Sequence, residues 1–330
     1  MQQEGTGKKL GMLAAVLVVL FFLSFLMGRY PVLPAEVLRV LTGQERDNTL
    51  VSVVLQIRLP RILLACLIGA CLSAAGTAYQ GVFQNPMAAP DILGASAGAA
   101  FGAALAILQS LSGQWVTLLA FAGSLLAVLI AYIVGQRARG RKVVNLVLSG
   151  VMVSSLFSAG TSYIKLVADP TNVLPAITYW LMGSLSGVRL PELGGALVPM
   201  SLGLLALWLI RWRVNVLAFG DEEARTMGVN ASAVRLAVIV AATLLTAASV
   251  SLSGMIGWVG LVIPHLSRRL VGNDFRRLLP ASVLMGAAFL LTVDNVSRNL
   301  LATEIPIGIL TAFVGVPFFL YLMCGEERFA

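Results

Sequence analysis

RLPR at residues 58–61 precedes a charge-free apolar run, the polar interlude QGVFQNPMAAPD at 80–91, and the small-residue run ILGASAGAAFG at 92–102. The apolar run is long enough to cross a bilayer, which takes roughly 20 residues. Asn85-Pro86 and Ala89-Pro90 interrupt it at membrane depth, where hydrocarbon cannot satisfy the freed backbone amides. Such a break survives only against protein or a water-filled path. The stretch therefore predicts a helix pair packed inside a polytopic bundle, with Asn85, Pro86 and Pro90 forming the bend. Gly94, Gly98 and Gly102 stand four apart, flanked by Ala95, Ala99 and Ala103, and form a ridge-free face for close helix approach. That face serves either dimerisation or packing within the chain.

Composition extends this to the whole chain. With 58% hydrophobic residues, 12% charged and a mean hydropathy of +0.90 over 330 residues, the chain has too little polar surface to coat a soluble globule. Gaps between charges predict spans at 10–28, 62–90, 92–136, 143–164, 170–188, 193–210, 236–267, 278–293 and 305–325. The run at 92–136 divides near 110–114 and the run at 236–267 near 254–260. With 170–188 partly outside the core, about ten crossings result. The class is all-α, a single transmembrane domain over 1–330.

A cytoplasmic amino terminus places 15 of the 23 Lys and Arg inside, including Lys8, Lys9, Arg137, Arg139, Arg141, Lys142, Arg268, Arg269 and Arg328. Arg58, Arg61, Arg189 and Arg298 are among the eight left outside. This bias predicts that both termini are cytoplasmic, with residues 1–9 as a tail. The net charge of +8 is then a topology signal, because scattered loop charges without an aromatic stripe do not form a nucleic-acid surface. The first span is too long for a signal core and lacks a small-x-small cleavage site. GTGKK at 5–9 lacks the spacing, the Ser or Thr, and the strand of a phosphate loop.

Catalytic chemistry is not indicated. Cys66, Cys71 and Cys324 lie in apolar runs without metal-ligand spacing, and the single histidine, His265, has no carboxylate neighbours for acid-base work. No metal or cofactor is expected. Ser73, Gly76, Pro86 and Gly94 recur at identical spacing as Ser251, Gly254, Pro264 and Gly272, which suggests an inverted internal repeat. Pro264 is read with Pro86 as a helix break.

The longest polar segment, 211–235, has the marks of a short helix. Asp221 is placed to cap it, Glu222 and Glu223 suit its positive end, and Gly228 supplies a left-handed stop. Leu217, Phe219, Ala224 and Met227 supply apolar anchors for a partner's groove.

RLPR at 58–61, QNPMAAPDILG at 84–94, GDEEARTMGV at 220–229, GMIGWVGLVIPHLSRRLVGND at 254–274, DNVSR at 294–298 and EIPIGILTAFVGVPFF at 304–319 closely resemble the FecCD-type permeases. These are membrane subunits of bacterial ABC importers for iron-siderophores, haem and vitamin B12. The resemblance spans about residues 10–325. It implies the ten-helix type II ABC importer permease fold in the bacterial inner membrane, surrounded by lipid. A second permease copy or a homologous permease would pair with it around a central pathway. Two cytoplasmic ATPase subunits would drive transport, and an extracytoplasmic substrate-binding protein would deliver the chelate.

The family's ATPase coupling element maps onto Gly220, Asp221, Glu222, Ala224, Met227 and Gly228. Its outward docking arginines map onto Arg58, Arg61 and Arg298, although snorkelling at the interface would also suit RLPR. A ferric siderophore is the commonest cargo expected from the resemblance, ahead of cobalamin, haem and oxyanions. An ion-coupled secondary transporter would instead bury ionisable residues in mid-span, whereas Asp294 and Glu304 fall near predicted helix ends.

Overall fold

The computed structural model describes residues 2–187 and 190–325, so Arg189 and Arg328 lie outside the described residues. No strand occurs among those described. Helix α1 (Gln2–Leu26) is followed by the short α2 (Pro34–Leu41) and α3 (Asn48–Val51). A π-helical stretch, Ser52–Arg58, runs without a break into α4 (Leu59–Val82). Next come α5 (Ala95–Leu108), α6 (Gly113–Arg137), α7 (Lys142–Val167), the short α8 (Val173–Met182) and α9 (Leu190–Leu217). After the six-residue α10 (Asp221–Thr226), the chain continues through α11 (Ala231–Ser253), α12 (Val259–Val271), α13 (Phe275–Asn299) and α14 (Ile307–Gly325).

Seven stretches among the described residues are long and apolar enough to cross a membrane, and α5, α12 and α14 are shorter. Counting those three with the seven, and leaving out the ten-residue α8, gives ten passes. Position in the bundle follows composition. Small residues fill α4 and α11, whose most apolar windows are 83% and 72% buried, whereas the Leu- and Val-rich windows of α1 and α9 are only 11% and 22% buried. The former pair forms the centre and the latter is left largely exposed at the periphery.

The bend at 83–94 is a series of turns. The Asn85 side chain accepts a hydrogen bond from the Met87 N–H at 2.9 Å, and Gly94, at φ +87°, opens α5 in a conformation that a side chain would strain. Gly98 and Gly102 lie directly on the backbone of α6, at the Gly123 and Leu119 carbonyls, leaving no room for a Cβ. The small-residue face therefore packs within the chain.

Several expectations need revision. Residues 2–9 are the first turns of α1 rather than a separate tail, and Lys9 Nζ donates to the Leu270 carbonyl at 2.6 Å, at the end of α12. Pro264 is not a break: it sits inside α12, and the chain turns instead at residues 254–258. Proline has no N–H for the Gly260 carbonyl four residues back, and Gly76 of α4 packs onto that same carbonyl.

The four spacing matches are also unlike in place. Gly76 lies within α4, while Gly254 follows the end of α11; Pro86 lies in a turn, while Pro264 lies in a helix. Repetition is visible in the elements instead. Helices α4, α5 and α6 have 24, 14 and 25 residues, and α11, α12 and α13 have 23, 13 and 25. Helix α4 packs on α13 and α12, just as α11 packs on α6 and α5, and five passes from α4 to α11 reverse their direction.

The segment at 34–47 carries no candidate span, and the helices at its two ends follow from local chemistry. Pro34 starts α2, the Glu36 carboxylate accepts from the Leu33 N–H at 2.8 Å, and Asp47 caps α3 through the Thr49 N–H at 2.8 Å. Replacing Gly102 with Leu forces α5 away from α6. Thermal unfolding in detergent is expected to show a loss of about 1–3 kcal/mol, while a Gly113→Ala control in open space stays near wild type.

Candidate functional site

Three regions combine polar chemistry or open space with the ends of the bundle. The first lies where α4 begins and α13 finishes. Arg61 Nε donates to Asp294 Oδ1 at 2.9 Å, and its Nη1 donates to Glu304 Oε1 at 2.9 Å. Arg298 Nε lies 3.1 Å from Asp294 Oδ2, one helical turn along α13, and its guanidinium also donates to Asn295 Oδ1. Asp294 is fully buried and holds both arginines, so it joins α4 to α13. Arg58 donates to the carbonyls of Phe25 and Tyr30, and Arg298 Nη1 reaches the Met27 carbonyl at 3.4 Å. Carbonyls at a helix C-terminus carry partial negative charge, so these arginines also fasten the end of α1.

This corrects the reading of Arg58, Arg61 and Arg298 as an exposed rim. Each is at most 7% exposed and already has partners within the chain. A guanidinium at the edge of hydrocarbon is stabilised by acids and carbonyls more than by a free surface position. Asp294, expected near a helix end, lies within α13 as the anion of a buried cluster, with Glu304 at its edge. Among these five groups three positive charges face two negative ones.

The second region is the opposite end of the bundle. Helix α9 runs through Leu217, so the polar segment expected over 211–235 is irregular only around α10. Gly220, not Asp221, precedes the helix, at φ +116°, and no side chain caps it. Asp221 instead accepts from Arg235 Nη2 at 2.8 Å, which ties α10 to α11. Glu222 joins Asp221 in the first turn, and Gly228, at φ +76°, follows the helix in the left-handed form expected of it. Of the four apolar anchors, Leu217 and Ala224 are buried within the chain. Only Phe219, 69% exposed, and Met227, 56% exposed, are free to meet a partner. The adjoining turn is braced by Asn215, whose side chain donates to Asp274 Oδ1 at 2.5 Å and accepts from the Phe275 N–H at 2.7 Å. Burial alone would raise the Asp274 carboxyl, but the Asn215 amide, the Arg276 N–H and the nearby arginines hold it below the ordinary carboxylate range.

The third region is open space along α12 and α14. A cavity of about 660 Å³ is lined by Met182, Met255, Trp258, Gly308, Phe313 and Val316, all apolar. Trp258 begins α12 at φ +69°, unusual for a bulky residue, and its ring lies 6.4 Å from that of Phe319. Beyond it a polar cavity of about 920 Å³ is lined by Gln80, Gln84, Asn215, His265 and Arg268, with Tyr321 of α14 at its edge. Gln80 accepts from Arg268 Nη1 at 2.6 Å, and Gln84 donates to the Leu217 carbonyl at 2.7 Å, so the bend at 83–94 is linked to the end of α9. Asn85 and Pro86 line this cavity, while Pro90 packs against Gly260 and Gly94 against α7. Reading the residues alone missed both cavities and the acid partners of the arginines. The available signal was charge: an arginine in an apolar helix needs an acid at the same level.

Residues 16–325 match the FecCD transport family. The molybdate import system permease protein MolB of Haemophilus influenzae is 39% identical over 99% of this chain and 98% of that protein. A probable iron chelatin transport system permease protein of Helicobacter pylori is 42% identical over 84% of each chain. A solved structure described as an inward-facing conformation of a metal-chelate type ABC transporter superposes with a TM-score of 0.88 at 37% identity, covering 96% of this chain and 99% of that one.

Asp294→Asn removes the anion shared by Arg61 and Arg298 and leaves both buried cations short of a partner. Unfolding in detergent is expected to show a loss of about 3–5 kcal/mol, with Asn295→Ala losing less. Equal losses would show that the cluster does not centre on Asp294.

Proposed function

Because the chain belongs to the FecCD transport family, we propose that this ABC importer permease carries a ferric siderophore inward across a bacterial cytoplasmic membrane. The observation that supports the transport route best is the pair of cavities stacked along α12 and α14, apolar then polar, between an arginine cluster at one end and exposed Phe219 and Met227 at the other. An apolar wall holds a large chelate weakly, which suits passage better than storage, and the polar vestibule offers hydrogen bonds on release. Both termini are cytoplasmic in this reading, in keeping with ten passes and the basic loops. The cluster at Arg58, Arg61 and Arg298 then faces outward, toward the substrate-binding protein.

Of the two ATPase subunits, one docks at α10 of each permease, where Phe219 and Met227 enter a groove on the ATPase while Asp221 and Arg235 hold the helix against α11. A second permease, identical or homologous, faces the apolar cavity so that the pathway lies between the two. ATP hydrolysis takes place in the ATPase, and this chain converts its motion into alternating access.

The siderophore reading draws on the iron chelatin permease of Helicobacter pylori. A metal oxyanion is the second reading, favoured by the molybdate permease that matches nearly the whole chain. Vitamin B12 and haem fit the same mechanism. Uptake by cells carrying the complete import system separates these cargoes. Radiolabelled ferric siderophore is expected to accumulate in an ATP-dependent manner, and accumulation of molybdate alone would assign the oxyanion. Substituting Phe219 and Met227 together with Asp is expected to weaken ATPase association by about 30-fold or more, the effect of two contacts at about 1 kcal/mol each. Unchanged association and uptake would remove α10 from the coupling interface.

A further inference from the structure

The two acids that hold Arg61 differ in kind. Asp294 sits in the regular helix α13 and is fully buried, fixed between two guanidinium groups. Glu304 lies in the irregular segment before α14, and its side chain is 31% exposed. Their contact is a single point. Arg61 Nη2 is buried without a hydrogen-bond partner, and Glu304 Oε2 is also without one. A guanidinium can offer Nη1 and Nη2 together to one carboxylate in the stronger two-point arrangement, and here that edge is only half used.

We propose that Glu304 is an internal stand-in for a carboxylate of the binding protein, and that docking exchanges one acid for the other on Arg61. The incoming carboxylate takes Nη1 and Nη2 together. Glu304, already partly in water, swings outward and is resolvated, while Asp294 stays on Nε and keeps the cluster intact. The exchange matters because Glu304 leads directly into α14. Ile305 is clipped to α13, its carbonyl accepting from Ser297 Oγ at 2.6 Å, and the Ile307 N–H donates to the Gly183 carbonyl at 2.9 Å where α14 begins. Helix α14 lines both cavities. Release of Glu304 therefore frees one of the ties that fix the start of the helix along the pathway, so occupancy outside is felt inside the bundle. Glu304 is a positioning residue in this scheme. The inference rests on the docking role proposed above for the arginine cluster.

The test uses the whole permease in lipid nanodiscs and the substrate-binding protein of the same import system, with Glu304→Gln as the variant. Glutamine keeps the size and removes the competing charge. Docking is measured over a range of salt concentrations, and a spin label at Thr303 reports the mobility of the loop. The expected result is docking to wild type that weakens with salt, docking to the variant about fivefold tighter, the scale of one partly exposed ion pair, and a free variant whose Thr303 label is as mobile as in docked wild type. Salt-dependent docking that Glu304→Gln leaves unchanged or weakens overturns the exchange and leaves the docking role standing. Salt-independent docking to wild type overturns both.

Discussion

The fully buried carboxylate of Asp294 is the constraint on which one end of the bundle depends. An ion at that depth is tolerable only with counter-charges in contact, and Arg61 and Arg298 supply them from α4 and α13. Once these are fixed, the rest of that end is determined. Arg298 and Arg58 reach the closing carbonyls of α1, Arg61 reaches Glu304, and the segment before α14 is drawn against α13. Four parts of the chain are thus held by one acid. Replacing the whole cluster with apolar side chains would be compatible with folding, whereas removing one member leaves an uncompensated buried charge.

Below the cluster the buried polar groups are mostly Ser and Thr hydroxyls, several bonded back to their own helix, and contact between helices relies on close backbone approach. Glycines on α5 meet the carbonyls of α6, and Gly76 of α4 meets the carbonyl that Pro264 leaves without its helical donor. Without a hydrophobic driving force between helices in lipid, close dispersion contact of this kind is the main source of attraction. It also leaves the short helices α5 and α12 wedged beside long ones. Their truncated ends place the turns at 83–94 and 254–258 where the cavities open, so irregular backbone occurs where it borders space that water or cargo can enter.

The sequence made some of this legible and hid the rest for physical reasons. Hydropathy gave the spans, since a bilayer imposes length and apolarity on any crossing helix, and it gave the division between α5 and α6. The bend at Asn85, Pro86 and Pro90 and the small-residue face of Gly94, Gly98 and Gly102 were readable because proline and glycine act locally. The motif at 220–228 announced a short helix, but not that Asp221 would bind Arg235 or that Ala224 would turn inward. Pairings such as Arg61 with Asp294 join residues 233 positions apart. Nothing in the local pattern specifies them, so three arginines at a membrane boundary read as exposed although they are buried. The repeat was hidden for a similar reason: equivalent helices share length and neighbours, while spacing of Gly and Pro pointed to unlike positions.

In the proposed function the bundle couples two surfaces through α14 and the cavities beside it. The claim that the arginine cluster is completed from outside is tested most directly by a structure of the assembled importer with its binding protein docked. The account predicts that Asp294 still holds Arg61 and Arg298, that a carboxylate of the binding protein occupies both terminal nitrogens of Arg61, and that Glu304 has moved into solvent. A docked complex in which Glu304 keeps its hydrogen bond to Arg61, with no partner carboxylate near the cluster, would contradict it.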